Sequence, residues 1–157
     1  MSKHIQRITP FLWFDNQAEE AANFYVSIFE NSKVRTVTRH GDAGPLPKGA
    51  VLTVAFELDG QSFTALNGGP QFKFNEAVSF VVNCENQSEV DRFWNNLSAG
   101  GQEGQCGWLK DKYGLSWQVV PTVLLNLLQH SDSEKSKRVM AAMLQMKKLD
   151  IATLEQA

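Results

Sequence analysis

Residues 104–121 read Gly-Gln-Cys-Gly-Trp-Leu-Lys-Asp-Lys-Tyr-Gly-Leu-Ser-Trp-Gln-Val-Val-Pro, and this stretch decides the fold. Its second part, Gly114-Leu115-Ser116-Trp117-Gln118-Val119-Val120, has the composition of a strand and stops at Pro121, which cannot donate to a sheet ladder. Gly60-Gln61-Ser62-Phe63-Thr64-Ala65-Leu66 has the same form: glycine, spacer, serine, aromatic, polar, small apolar, apolar. A second echo lies upstream, where Phe14-Asp15-Asn16-Gln17-Ala18-Glu19 matches Cys84-Glu85-Asn86-Gln87-Ser88-Glu89. Two signals repeated in the same order point to an internal duplication.

Working outward, each half carries one amphipathic helix and several short strands. In the first half, Ile8–Phe14 reads as an aromatic-rich strand. Asn16 with Glu19 signals a helix start of capping-box type. Ala21, Phe24, Tyr25, Ile28 and Phe29 then recur at helical spacing. Strands follow at Val34–His40 and Val51–Leu58, and Asp59-Gly60 turns the chain into Ser62–Asn67. The second half begins with the strand Ala77–Cys84. Its helix is opened by Asn86 and Glu89, buries Val90, Phe93, Trp94 and Leu97, and ends at Gly100-Gly101. One or two strands fall between Gln102 and Asp111, before Leu115–Val120. The class is therefore α+β: two βαβββ modules, at about 5–70 and 76–121, within residues 5–121. A helical extension over 122–157 starts with a short helix at Val123–Leu128. A longer helix capped by Ser131 and Glu134 carries Val139, Met140, Met143, Leu144 and Met146 on one side, and a last one is capped by Asp150.

A chain of 157 residues buries enough surface to need no metal or disulfide staple. A net charge of −2 without a basic face argues against nucleic acid as a partner, and no apolar run is long enough for a membrane span. Cys84 and Cys106, with no export signal at the N-terminus, read as free thiols in a reducing cytoplasm.

Duplicated βαβββ modules resemble the vicinal oxygen chelate superfamily, the glyoxalase/bleomycin-resistance fold, over about residues 5–121. The chain is more closely similar to the PhnB-like group labelled 3-demethylubiquinone-9 3-methyltransferase domain proteins. That resemblance rests on Ile8-Thr9-Pro10-Phe11-Leu12-Trp13-Phe14-Asp15, Ala18-Glu19-Glu20-Ala21 with Phe24-Tyr25, Ala65-Leu66-Asn67-Gly68-Gly69, and Trp117-Gln118-Val119-Val120-Pro121. It implies a homodimer. In metal-dependent members, the first and last strand of each module supply His and Glu ligands. Aligning the two halves sets Thr9 against Ser79 and Thr64 against Gln118, so those four positions hold neutral side chains. Neutral hydroxyls and a carboxamide are weak ligands for a divalent ion. His4, His40 and His130 lie elsewhere, so no catalytic metal is expected.

The methyltransferase label has no matching cofactor signal. Gly68-Gly69-Pro70 and Gly100-Gly101 sit in the wrong context for an S-adenosylmethionine loop, and no cofactor is expected. What the pattern does suggest is a small-molecule cavity in which Thr9, Thr64, Ser79 and Gln118 lie among aromatic residues such as Phe11, Trp13 and Trp108. Gln118 is either a ligand group or a core amide bonded to Ser79 or Thr9. Asn67 either donates to a ligand or serves a turn. Cys106, between two glycines, is either a small buried residue or a nucleophile. Lys110-Asp111-Lys112 reads as a charged turn. No catalytic residue is identified. The expected function is binding of a small organic molecule. The alternative is an enzyme on such a substrate, a lyase, a dioxygenase or the labelled methyltransferase, with relocated metal ligands among the options.

Overall fold

A computed structural model describes residues 5–157. The chain forms two compact units, one ending at Lys73 and one running from Phe74 to Ala157. In the first, strand β1 (Phe11–Phe14) is followed by helix α1 (Ala18–Ile28), β2 (Lys33–Arg39), β3 (Val51–Leu58) and β4 (Gln61–Asn67). The sheet order is β1-β4-β3-β2, with β1 parallel to β4 and the other pairs antiparallel. The second unit repeats this with β5 (Ser79–Cys84), α2 (Gln87–Ser98), β6 (Gln102–Glu103), β7 (Trp108–Lys110) and β8 (Ser116–Pro121), in the order β5-β8-β7-β6. Helices α3 (Val123–Leu128), α4 (Ser133–Leu144) and α5 (Ile151–Gln156) complete it. The expected α+β class, two βαβββ modules with C-terminal helices, is the observed one.

The register carries the duplication to the single residue. Phe11 pairs with Thr64 across β1 and β4, and Val81 pairs with Gln118 across β5 and β8. Phe11 lies two residues after Thr9 and Val81 two after Ser79, so the alignment of Thr9 with Ser79 and Thr64 with Gln118 holds in space.

Each sheet buries one face under its helix, as the period of two requires. In the first unit that face presents Leu12, Phe14, Val54, Phe56, Leu58, Phe63 and Ala65. Helix α1 lays Ala18, Ala21, Ala22, Tyr25 and Ile28 on it. Its alanines let the helix approach closely, and the rings of Tyr25, Phe56 and Phe63 stack in series. In the second unit, Val90, Phe93, Trp94 and Leu97 of α2 cover the sheet as expected. The turn at Asp59-Gly60 has φ of 48° and 80°, the backbone of a type I′ hairpin.

Several local expectations are corrected. The first strand begins at Phe11 rather than Ile8, which is 86% exposed. Gln17, not Asn16, is the N-cap of α1, and its side chain caps nothing. The Ala18 N–H instead donates to Asn67 Oδ1 at 2.8 Å. On α2 the expected cap does form, with the Glu89 N–H donating to Asn86 Oδ1, while Glu89 Oε2 reaches one residue further back and accepts from the Glu85 N–H. Asp132, not Ser131, caps α4, whereas Asp150 caps α5 as expected. On α4 only Val139 is fully buried, and Met140 and Leu144 are exposed. Met143 and Met146 pack against the buried cluster of Leu124, Val139, Leu149 and Leu154.

Candidate functional site

Of the expected site residues, Trp13, Thr64, Ser79, Trp108 and Gln118 stand on the sheet faces turned away from the helices. In the first unit Phe11 and Trp13 of β1 share that open face with Thr64 and Leu66 of β4. Thr9 is exposed, just before β1. Trp13 is already engaged: its indole N–H donates to the Gly69 carbonyl at 2.9 Å, and its ring meets Phe72 edge-on. A Cβ at Gly68 would stand 2.3 Å from the Trp13 ring, which explains the glycine there. Asn67 is engaged at both ends. Its Oδ1 caps α1 and its Nδ2 donates to the Val51 carbonyl at 3.1 Å, so the side chain ties helix to sheet.

In the second unit the pleat brings three expected residues together. Trp108 of β7 is the direct cross-strand partner of Gln118 on β8. Gln118 Nε2 donates to the Ser79 hydroxyl oxygen at 3.0 Å, one of the two partners expected for it. Its Oε1 accepts no hydrogen bond from the described residues. Both Gln118 and Ser79 are half-buried.

Cys106 is answered by the C-terminal extension. With φ of 59°, it donates its backbone N–H to the Met146 carbonyl, and Gly107 donates to the Lys147 carbonyl, both at 2.8 Å. The close backbone approach allowed by Gly104-Gln105-Cys106-Gly107 is thus made to the chain's own tail. Cys84 is fully buried, and burial pushes its thiol up to about 11 from an ordinary 9.0.

The Lys110-Asp111-Lys112 segment is more than a solvated turn. Asp111 is 2% exposed and accepts from the Tyr113 N–H at 2.8 Å, the Leu115 N–H at 3.1 Å and Trp117 Nε1 at 2.9 Å. Lys110 instead turns to the open face and forms an ion pair with Glu76. The hydrogen bond from Lys110 is the main cause holding the Glu76 carboxyl below the usual carboxylate range. Near this pair is a pocket of about 190 Å³, lined in part by Glu103, Trp108, Lys110 and Ser116. Ser116 is 1% exposed, and its hydroxyl finds no hydrogen-bond partner among the described residues. Counting back two from Gln118 along β8 would have put Ser116 on this face. No sequence spacing reveals that Glu76 meets Lys110.

The residues do not fit the metal centre that the fold implies. Among the described residues no three or more His, Cys, Asp and Glu side chains are grouped to hold an ion. The four equivalent positions, Thr9, Thr64, Ser79 and Gln118, present neutral oxygen and amide groups that compete poorly with water for a divalent ion. His4 lies outside the described residues. No helix among the described residues is long and apolar enough to cross a membrane.

Comparison with solved structures agrees with this architecture. The PhnB protein of Bacillus cereus, described as a candidate 3-demethylubiquinone-9 3-methyltransferase, is 36% identical with a TM-score of 0.69, over 74% of this chain and 100% of that one. Protein PA1353 of Pseudomonas aeruginosa is 20% identical with a TM-score of 0.61, over 74% and 98%. The fosfomycin resistance protein FosX of Listeria monocytogenes is 15% identical with a TM-score of 0.56, over 83% and 100%. The last two share the fold alone. No curated protein sequence matches the chain significantly. The family model for 3-demethylubiquinone-9 3-methyltransferase matches residues 6–120. With the duplicated βαβββ register and the identity to the Bacillus cereus protein, that match means the chain belongs to this PhnB-like family of the vicinal oxygen chelate fold.

Proposed function

We propose that the protein binds a small organic molecule on the open face of its second sheet, using hydrogen bonds and aromatic contact in place of a metal. The observation that carries this reading is the Trp108–Gln118–Ser79 constellation. A carboxamide fixed at its nitrogen end keeps an acceptor available beside an indole. Few polar groups among apolar ones suit recognition of a compact ligand. Thr9 and Thr64 hold the equivalent positions of the first unit and are the candidate ligand groups of that unit's own sheet. Asn67 and Trp13 are committed to the fold, and the Cys106 backbone to the tail.

The test is a titration of the full chain with benzyl alcohol, a neutral single-ring probe, into the millimolar range, following the Gln118 side-chain amide by NMR. The reading expects saturable shifts at Gln118 and the Trp108 indole N–H, with the Trp108 shift lost in Gln118→Leu at a stability cost of only about 1 kcal/mol. A Gln118→Leu protein that binds the probe as well as the wild type would remove Gln118 from the site.

The family's description favours a second reading, methyl transfer from S-adenosylmethionine. A carboxylate near the pocket, Glu76, is held ionised by Lys110 and is a weak proton acceptor at neutral pH. Calorimetric titration with S-adenosylmethionine is expected to give no heat of binding, and a saturable isotherm would favour transfer. The homodimer implied by the resemblance is part of the same proposal. Ile8 and Val78, and likewise Phe11 and Val81, are exposed apolar residues at equivalent positions in or just before the edge strands β1 and β5. Light scattering of the purified chain would report twice the chain mass.

A further inference from the structure

A polar row crosses all four strands of the second sheet on its open face: Gln102 pairs with Lys110, Lys110 with Ser116, and Ser116 with Ser79. The pocket beside Trp108 lies along this row, with Gln102, Lys110, Ser116 and Glu76 in its lining. Glu103 does not bring its charge there. It pairs with the buried Leu109, and its carboxylate takes the Trp94 indole N–H on the helix-covered face. The charged groups left to the pocket are Lys110 and Glu76, which pair with each other and sum to zero. Both stay reachable, with side chains 37% and 57% exposed. An ammonium has three donors and a carboxylate about four lone-pair sites, so one mutual contact leaves both with capacity. A lone ion entering this lining gives up hydration without finding a free counter-charge. A neutral molecule with an N–H beside a C=O meets the opposite condition, because each of its polar atoms faces a charged partner. The Ser116 hydroxyl supplies an independent pointer. It is closed to water, with the residue 1% exposed, and has no partner among the described residues, whereas buried hydroxyls are normally bonded.

We infer that this pocket selects a compact neutral carboxamide, its C=O accepting from Lys110 and the Ser116 hydroxyl, its N–H donating to Glu76, and its apolar part lying against Trp108. Lys110 and Ser116 are direct cross-strand partners, so one carbonyl oxygen serves both. The volume of about 190 Å³ limits the ligand to a single ring or a similarly small group. It falls below the roughly 300–1,000 Å³ usual for drug-sized ligands. The inference rests on the proposed binding function and assigns it a ligand class.

Four probes of nearly equal shape separate these terms: benzamide, acetophenone (the same carbonyl without the N–H), benzoate and benzylamine. Each is titrated into the full chain at constant ionic strength while NMR follows the backbone amides of Gly104 and Ser116 and the Trp108 indole N–H. Benzamide is expected to bind tightest, by roughly three- to tenfold over acetophenone, the worth of one hydrogen bond. Unbalancing the pair should move the preference in opposite directions: Glu76→Gln towards benzoate, and Lys110→Gln towards benzylamine. Ser116→Ala removes a hydroxyl that bonds to nothing in the fold, so it should leave the denaturation midpoint unchanged or higher while weakening benzamide. Benzoate, benzylamine or acetophenone binding the wild type as tightly as benzamide overturns the inference. So does a preference that neither charge variant moves, or a Ser116→Ala protein that holds benzamide as well as the wild type. Benzyl alcohol shifting Gln118 and Ser79 while benzamide shows no advantage overturns the ligand class and leaves the binding reading intact. Absence of shifts at both groups of resonances overturns both.

Discussion

At Asp111 a carboxylate almost sealed from water receives two backbone N–H groups and the Trp117 indole. Truncation strands all three donors, and each buried unsatisfied donor costs about 1–3 kcal/mol. Asp111→Ala should therefore lose about 3 kcal/mol or more in urea denaturation, and Asp111→Asn less, because an amide oxygen still accepts. Gln118→Leu removes one hydrogen bond from a half-buried site and should cost only about 1 kcal/mol, so loss of ligand binding in that variant reports the site and not the fold. Cys84 predicts a pH effect. Its folded pKa is raised from 9.0 to about 11, so the neutral thiol is favoured by folding. The associated stability is fully present below about pH 9 and is lost as pH rises towards 11. Denaturation midpoints measured across that window should fall more steeply for the wild type than for Cys84→Ala.

Among the elements, α1 shows how a long-range contact replaces a local signal. The motif Asn16–Glu19 resembles the working cap Asn86–Glu89, yet Asn67, 49 residues on from Ala18, supplies the cap. Asn67→Ala should cost about 1 kcal/mol for the lost cap, plus the cost of the freed Val51 carbonyl, and Asn16→Ala close to nothing; thermal denaturation compares the two. Strand faces, helix stripes and the module repeat were legible in the sequence because they follow from periods of 2 and 3.6 and from a duplication. The Gln118–Ser79 bond was legible as one of two options, since the repeat put both residues on one face. Three features were not: Glu76 reaching Lys110, Asn67 reaching Ala18, and the tail reaching Cys106. Tertiary folding brings each of these together across a separation that no local pattern encodes. The tail contact has its own test. Gly107 has φ of +85°, and a Cβ there would stand 2.9 Å from the Val119 carbonyl oxygen and 3.1 Å from Leu149. Gly107→Ala should therefore destabilise by about 1–3 kcal/mol and speed hydrogen exchange at the Cys106 amide that donates to Met146.

For the whole molecule, one βαβββ plan is used twice, in the same register, with different outcomes on the open faces. In the first unit, Trp13 and Asn67 are drawn into the fold. In the second, Gln118, Ser79 and Trp108 stay partly open, and Trp108 lines a pocket with the Glu76–Lys110 ion pair. At the positions that the resemblance aligns with the His and Glu ligands of metal-dependent members, both units present hydroxyls or a carboxamide. The central claim is that this face recognises an organic molecule and not a metal ion. An NMR titration of the full chain tests it most directly, with the Gln118 side-chain amide and the Ser79 backbone amide followed first against equimolar Zn²⁺, Ni²⁺ and Mn²⁺ and then against benzyl alcohol. The account predicts saturable shifts at both residues with benzyl alcohol and none with the metals. Shifts or broadening at Gln118 and Ser79 on adding one equivalent of metal, with no response to the alcohol, would contradict it.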